Sequence, residues 1–109
     1  MREKEIEQYL VKRVKEMGGK AYKWVSPGND GVPDRIVFFS GVTALVELKA
    51  PGKKPTPLQI AKHKELEKLG QRVLVLDSKE SVDEFIGRVD QFIYSVRCEE
   101  GDMYEVCAP

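Results

Sequence analysis

Residues 31–52, GVPDRIVFFSGVTALVELKAPG, hold two short apolar runs that meet at Ser40-Gly41. A two-residue turn there pairs Phe39 with Val42, so that opposed positions of the hairpin sum to 81. Asp34 then opposes Glu47, and Lys49, two residues on, projects from the same face. A four-residue loop keeps that register, whereas a loop of three or five residues would shift it by one and turn the side chains over. Opposed Cβ atoms in an antiparallel pair stand about 5 Å apart. Two carboxylates and a lysine therefore converge at one end of a hairpin that otherwise reads as core.

Like charges opposed across a strand pair repel, and burial worsens the repulsion. A divalent cation between the carboxylates removes that penalty. Hard oxygen donors suit Mg2+ or Mn2+, which retain waters and take only one or two protein carboxylates. Lys49 beside such an ion is placed to orient an attacking water or to steady a developing phosphorane charge. Taken singly, Glu47 and Lys49 read as well as strand-end residues in solvent, and Asp34 as a turn residue after Pro33. Their common register, with Gly31 and Pro33 shaping the approach, is what marks a site.

Outward from the hairpin the elements alternate. Residues 3–17 place Ile6, Leu10, Val14 and Met17 at helical spacing, and Gly18-Gly19 stops the helix. Residues 20–25, KAYKWV, read as a strand and lead into the loop SPGNDGVP. Residues 56–69 read as a helix, with Thr56 at the N-cap, Pro57 at the first turn, Gln59 completing a capping box and Gly70 ending it. Residues 72–76, RVLVL, have the fully apolar character of a strand buried on both faces. Residues 79–94 read as a last helix with Val82, Phe85, Ile86, Val89 and Ile93 along one side, and 96–109 form a tail of unassigned structure. The expected fold is α/β, in the order α-β-β-β-α-β-α, with a mixed sheet flanked by helices in one domain over 1–109.

Composition bounds the class. A chain of 109 residues with 41% hydrophobic and 33% charged residues can bury a core without staples. No apolar run approaches the roughly 20 residues of a membrane span, and MREKEIEQYL lacks a signal-peptide core, so export is not expected. Cys98 and Cys107 have neither CxxC spacing nor a nearby histidine and read as free thiols of a reducing cytoplasm rather than a zinc site. Net charge is zero but unevenly spread: residues 1–75 hold 15 Lys/Arg against 9 Asp/Glu, and residues 76–109 hold 3 against 9. That asymmetry permits a basic face on nucleic acid and is equally compatible with solvated helix surfaces.

Gly31-Val32-Pro33-Asp34, then Glu47-Leu48-Lys49, then Gln59 on the following helix resemble the PD-(D/E)XK nuclease superfamily. Within it, the likeness is to the restriction-endonuclease-like VRR-NUC domains, in their compact stand-alone virus-type group, over roughly residues 3–86. The resemblance implies a Mg2+-dependent deoxyribonuclease, with Mn2+ as substitute, in the cytoplasm of a bacterial or phage-infected cell. Asp34 and Glu47 would hold the metal by side chain and Leu48 by its carbonyl, with Lys49 as catalytic lysine. Gln59 would help position the site, alongside or instead of its capping-box role. Such nucleases often add a glutamate from the first helix. Glu3, Glu5 and Glu7 are the candidates, and Glu7, sharing a face with Leu10, Val11 and Val14, is the favoured one.

Several residues are ambiguous. Lys53 and Lys54, in the Gly-Pro loop after Lys49, suit phosphate contact or plain solvation. His63, among Lys62, Lys64 and Glu65, reads as helix-surface filler, and Tyr22 and Trp24 as packing rather than base-stacking platforms. Likeness to junction resolvases implies a homodimer acting on four-way or other branched DNA. Phe92, Ile93, Tyr94, Val96, Tyr104 and Val106 are candidates for its interface, or for the chain's own core. The rival readings are a non-catalytic DNA-binding or assembly module that keeps the fold, and an acidic-tailed interaction protein with no nucleic-acid role.

Overall fold

The computed structural model describes the backbone of residues 1–107 and the side chains of residues 1–93. Its elements are α1 (Glu3–Glu16), β1 (Lys20–Lys23), β2 (Arg35–Phe39), β3 (Val42–Leu48), α2 (Pro57–Lys68), β4 (Val73–Leu76) and α3 (Lys79–Cys107). The order is the expected one. Four strands form a single sheet in the sequential order β1-β2-β3-β4. The first three are antiparallel, and β4 runs parallel to β3 after the crossover through α2.

The hairpin register is as read: Phe39 pairs with Val42 and Arg35 with Val46. Gly41 supplies the positive φ, 75°, that the two-residue turn requires. Because pairing partners share a face, the sheet sorts its residues by parity. One face carries Val37, Phe39, Ala44, Val46, Leu48 and Leu76, all buried. The amphipathic stripe Ile6-Leu10-Val14 of α1 and Val82-Phe85-Ile86-Val89 of α3 cover that face and close the core. Phe39 and Phe85 meet there edge to face, with centroids 5.9 Å apart. At the rim of the α1–α3 contact, Asp83 accepts from the Tyr9 hydroxyl and from Arg13 Nε.

The other face holds Trp24, Asp34, Ile36, Phe38, Leu45, Glu47, Val73 and Val75, and receives α2. The capping box forms with both bonds in place: Gln59 N–H donates to Thr56 Oγ1 at 3.2 Å, and Thr56 N–H donates to Gln59 Oε1 at 2.9 Å. Yet α2 shields Gln59, Lys62, His63 and Leu66, and leaves Leu58 and Ile60 in solvent. Apart from Leu66, its hydrophobic residues face the wrong way for a helix held by apolar burial.

Three expectations need correction. β4 is an edge strand with Val75 41% exposed, not a strand buried on both faces, because α2 covers its outer face incompletely. The last helix does not stop at residue 94 but runs through the tail to Cys107. Tyr22 is 57% exposed and packs only edge-on against Phe38 on the uncovered half of the sheet. Phe92 is half exposed and Ile93 packs against the core. The side chains of Tyr94, Val96, Cys98, Tyr104, Val106 and Cys107 lie outside the described residues. Among the described residues no helix is long and apolar enough to cross a membrane.

The two helical surfaces should respond differently to truncation. Leu10→Ala, inside the α1 stripe, should cost about 2–5 kcal/mol, whereas Leu58→Ala should stay within about 0.5 kcal/mol. Urea denaturation of both variants checks this.

Candidate active site

The site lies at the C-terminal end of β3, on the face that α2 covers. Trp24 N–H donates to the Asp34 carbonyl at 2.9 Å, which carries the sheet pairing one step beyond β2 and fixes the Asp34 backbone. Glu47 and Asp34 project toward each other from adjacent strands, as the register requires. Glu47 is only 2% exposed.

The neighbours of Glu47 come from the end of β3 and from α2. Gln59 Nε2, from the first turn of α2, donates to Glu47 Oε2 at 3.1 Å. Lys49 Nζ, from the same strand, stands 3.6 Å from Oε2. His63 Nε2, one helical turn beyond Gln59, stands 3.7 Å from Oε1. Asp34 is only half-buried, and its Oδ2 accepts the Leu48 N–H at 2.8 Å. Gln59 therefore serves both purposes: its Oε1 closes the capping box while its Nε2 holds Glu47.

The GVPD loop has a geometric explanation. Gly31 adopts φ 89°, and a Cβ there would come within 3.0 Å of the Leu58 carbonyl oxygen. Only glycine lets the loop lie against the first turn of α2, which ties Asp34 to the helix that carries Gln59. Pro33 is fully buried. The backbone groups of β3 alternate between its neighbours: Leu45 and Lys49 donate to β4, at Arg72 O and Leu76 O. Leu48 therefore turns its N–H and C=O toward β2. Continuing the hairpin register sets Pro33 opposite Leu48, and proline has no N–H to donate to that carbonyl.

Burial pushes the Glu47 carboxyl up to about 7, with the Asp34 charge adding to the rise and Lys49 opposing it. A buried carboxylate under this repulsion fits a divalent cation. The donor set does too: two carboxylates, with a main-chain carbonyl on the same side, are hard oxygen ligands of the kind Mg2+ accepts alongside waters. Among the described residues no group of three or more His, Cys, Asp or Glu side chains is gathered for a metal, so a carboxylate-rich cage of the calcium type is absent there.

Not every expected residue joins the cluster. Glu7 belongs to the opposite face of the sheet, where its Oε2 accepts from Arg35 Nε at 2.9 Å, and Arg35 also donates to the Ala21 carbonyl at 3.0 Å. The α1 glutamate whose charge reaches Glu47 is instead Glu3, which adds to the rise of the Glu47 carboxyl from the exposed start of the helix. Glu5 pairs with Arg2. Lys53 and Lys54 are exposed in the loop between β3 and α2. His63 is buried, not surface filler, with 7% exposure. Its four-residue spacing from Gln59 was the available signal, since both then share one helix face.

No family model matches the chain. Over 81 residues it is 53% identical to "Putative nuclease p44" of Acyrthosiphon pisum secondary endosymbiont phage 1, covering 73% of this chain and 87% of that protein. A solved structure described as "VRR_NUC domain" superposes with a TM-score of 0.73 at 33% identity, covering 78% of this chain and 94% of its own. The chain belongs to the VRR_NUC nuclease family. The family's α/β fold is the one described above. In this VRR_NUC chain the sheet divides its work, one face packing the core and the other gathering Asp34, Glu47, Lys49, Gln59 and His63.

The strained carboxylate has a thermodynamic signature. Glu47 has an ordinary value of 4.5, and in the folded, metal-free protein it rises to about 7. The folded state therefore binds this proton more tightly than the unfolded state. The stabilisation is fully present below pH about 4.5 and is lost as pH rises through about 7. On that basis the Glu47 contribution to metal-free stability should fall by roughly 3 kcal/mol across the window. Glu47→Gln should flatten the fall, as read by urea denaturation in chelator across pH.

Proposed function

We propose that this VRR_NUC domain is a Mg2+- or Mn2+-dependent endonuclease that hydrolyses phosphodiester bonds in DNA, with four-way junctions and other branched DNA as its favoured substrates. The observation that carries the reading is the buried Glu47 carboxylate beside Asp34, held by Gln59 and flanked by Lys49. In this reading Asp34, Glu47 and the Leu48 carbonyl hold the metal. When bound, a divalent cation supplies Lewis-acid polarisation of the scissile phosphate and lowers the pKa of a coordinated water.

The chain's own residues do the rest. Lys49 is 14% exposed at its side chain and points to the same carboxylate oxygen as Gln59. Its ammonium is therefore held at the mouth of the site, where it can orient the water and stabilise charge gathering on phosphorus-bound oxygens. Gln59 keeps Glu47 from rotating out of position. Hydrolysis forms a bond from water oxygen to phosphorus and breaks the bond to one sugar oxygen, which leaves with a proton. Lys53 and Lys54, exposed and beyond the reacting centre, meet the phosphate backbone.

Two further features support branched substrates and a dimer. A domain of this size offers little surface for reading base sequence, and cutting two strands of a junction symmetrically calls for two copies of the site. Phe92, half exposed on α3, suits an interface between copies. The cytoplasm of a bacterial or phage-infected cell is the proposed setting. Light scattering should find a dimer at tens of micromolar protein; a monomer with and without junction DNA would remove the symmetric-cutting scheme.

Lys49 and the loop lysines should separate in single-turnover cleavage of a four-way junction with Mg2+. Lys49→Ala should lose on the order of a hundredfold in rate with junction affinity nearly unchanged, and Lys49→Arg should fail almost as badly, since the broad guanidinium replaces a compact ammonium. Replacing Lys53 and Lys54 together should weaken binding and flatten its salt dependence while leaving the saturated rate mostly intact. Near-normal cleavage by Lys49→Ala, or cleavage of equal rate in chelator, would contradict the mechanism.

A further inference from the structure

Helix α2 presents a polar side to the sheet. Gln59, Lys62, His63 and Leu66 are shielded at helical spacing, while Leu58 and Leu69 are more than half exposed. A buried imidazole without a partner destabilises a protein, so the placement of His63 needs a reason.

Among the described side chains two polar atoms are fully buried without a hydrogen-bond partner, Glu47 Oε1 and His63 Nε2. They face each other at 3.7 Å. Neither is open to bulk solvent, and an approach of under about 1 Å brings them to hydrogen-bond distance. The other oxygen of the same carboxylate is already held from the same helix, by Gln59 Nε2 at 3.1 Å.

We propose that His63 is a positioning residue for Glu47: its neutral imidazole carries the proton on Nε2 and donates to Oε1 while Gln59 donates to Oε2. One face of α2 thus fixes both oxygens of one carboxylate, and the Asp34–Glu47 pair is presented to the metal in a single orientation. A neutral donor suits the task, because it orients the carboxylate without cancelling the charge that attracts the cation. The spacing Gln59-x-x-x-His63 is then a functional pair, and the solvent-facing apolar residues of α2 are a consequence of turning that pair inward. The metal-binding part of this inference rests on the nuclease reading; the Glu47–His63 contact does not.

The test has two arms. In 15N-labelled, metal-free wild type, long-range nitrogen–proton correlations should show His63 as the Nε2–H tautomer with a ring proton slow to exchange. Mg2+ titration calorimetry should then find His63→Leu weakened about 10- to 100-fold. His63→Gln, whose amide can reach the Nε2 position, should recover to within a few-fold. Circular dichroism and cooperative unfolding establish that each variant is folded. A proton on Nδ1 would overturn the proposal, as would a folded His63→Leu that binds Mg2+ like the wild type. If His63→Leu does not fold, the tautomer and His63→Gln decide. A wild type that binds no Mg2+ would sink the nuclease reading, and the tautomer alone would then settle the contact.

Discussion

Burying the charge of Glu47 is the constraint around which the outer half of this domain is organised. A carboxylate 2% exposed, across a strand gap from a second carboxylate, is tolerated only when other groups compensate it. Lys49 and Gln59 each approach one of its oxygens and His63 approaches the other, yet burial and the Asp34 charge still push the carboxyl up to about 7. The geometry of the loop follows from the same need. Gly31 lies against the α2 backbone at a positive φ, where a Cβ would stand only 3.0 Å from the Leu58 carbonyl oxygen, so the Asp34 loop and the Gln59 turn approach closely.

The two faces of the sheet divide stability from chemistry. On the α1–α3 face, Val37, Val46, Leu48 and the two amphipathic helices form a continuous apolar core. That face can afford Arg35 only because Glu7 and the Ala21 carbonyl take its donors. On the α2 face, the helix contributes little apolar burial and instead supplies side chains to a carboxylate. Such an arrangement leaves α2 weakly anchored by hydrophobic contact, so the Gln59–Glu47 bond and the Gly31 contact carry much of its placement. Sheet order does the remaining work: parallel pairing of β4 with β3 brings Leu76 O to the Lys49 N–H and holds the Lys49 backbone at the strand end.

Much of this was legible in the residues. The hairpin register follows from a two-residue turn and the parity of strand side chains, and that register alone sets Asp34 against Glu47. Thr56, Pro57 and Gln59 announced the start of α2 because capping chemistry is local. What escaped was set by tertiary placement. Glu7 and Glu3 share a helix face, and nothing in the heptad-like spacing says which of them reaches past the sheet's end; an arginine on β2 captured Glu7. His63 was hidden because burial was expected of apolar residues, and its helix buries a polar face. The apolar run of β4 read as fully enclosed, but enclosure depended on where α2 came to rest.

The central claim is that the Asp34–Glu47 pair is a divalent-cation site. Anomalous scattering from crystals of the protein soaked in Mn2+ tests it most directly. A peak bounded by the Asp34 and Glu47 carboxylates and the Leu48 carbonyl is expected in the wild type, and its loss in Asp34→Asn. Bare carboxylates at millimolar Mn2+, or a peak seated elsewhere, would contradict it.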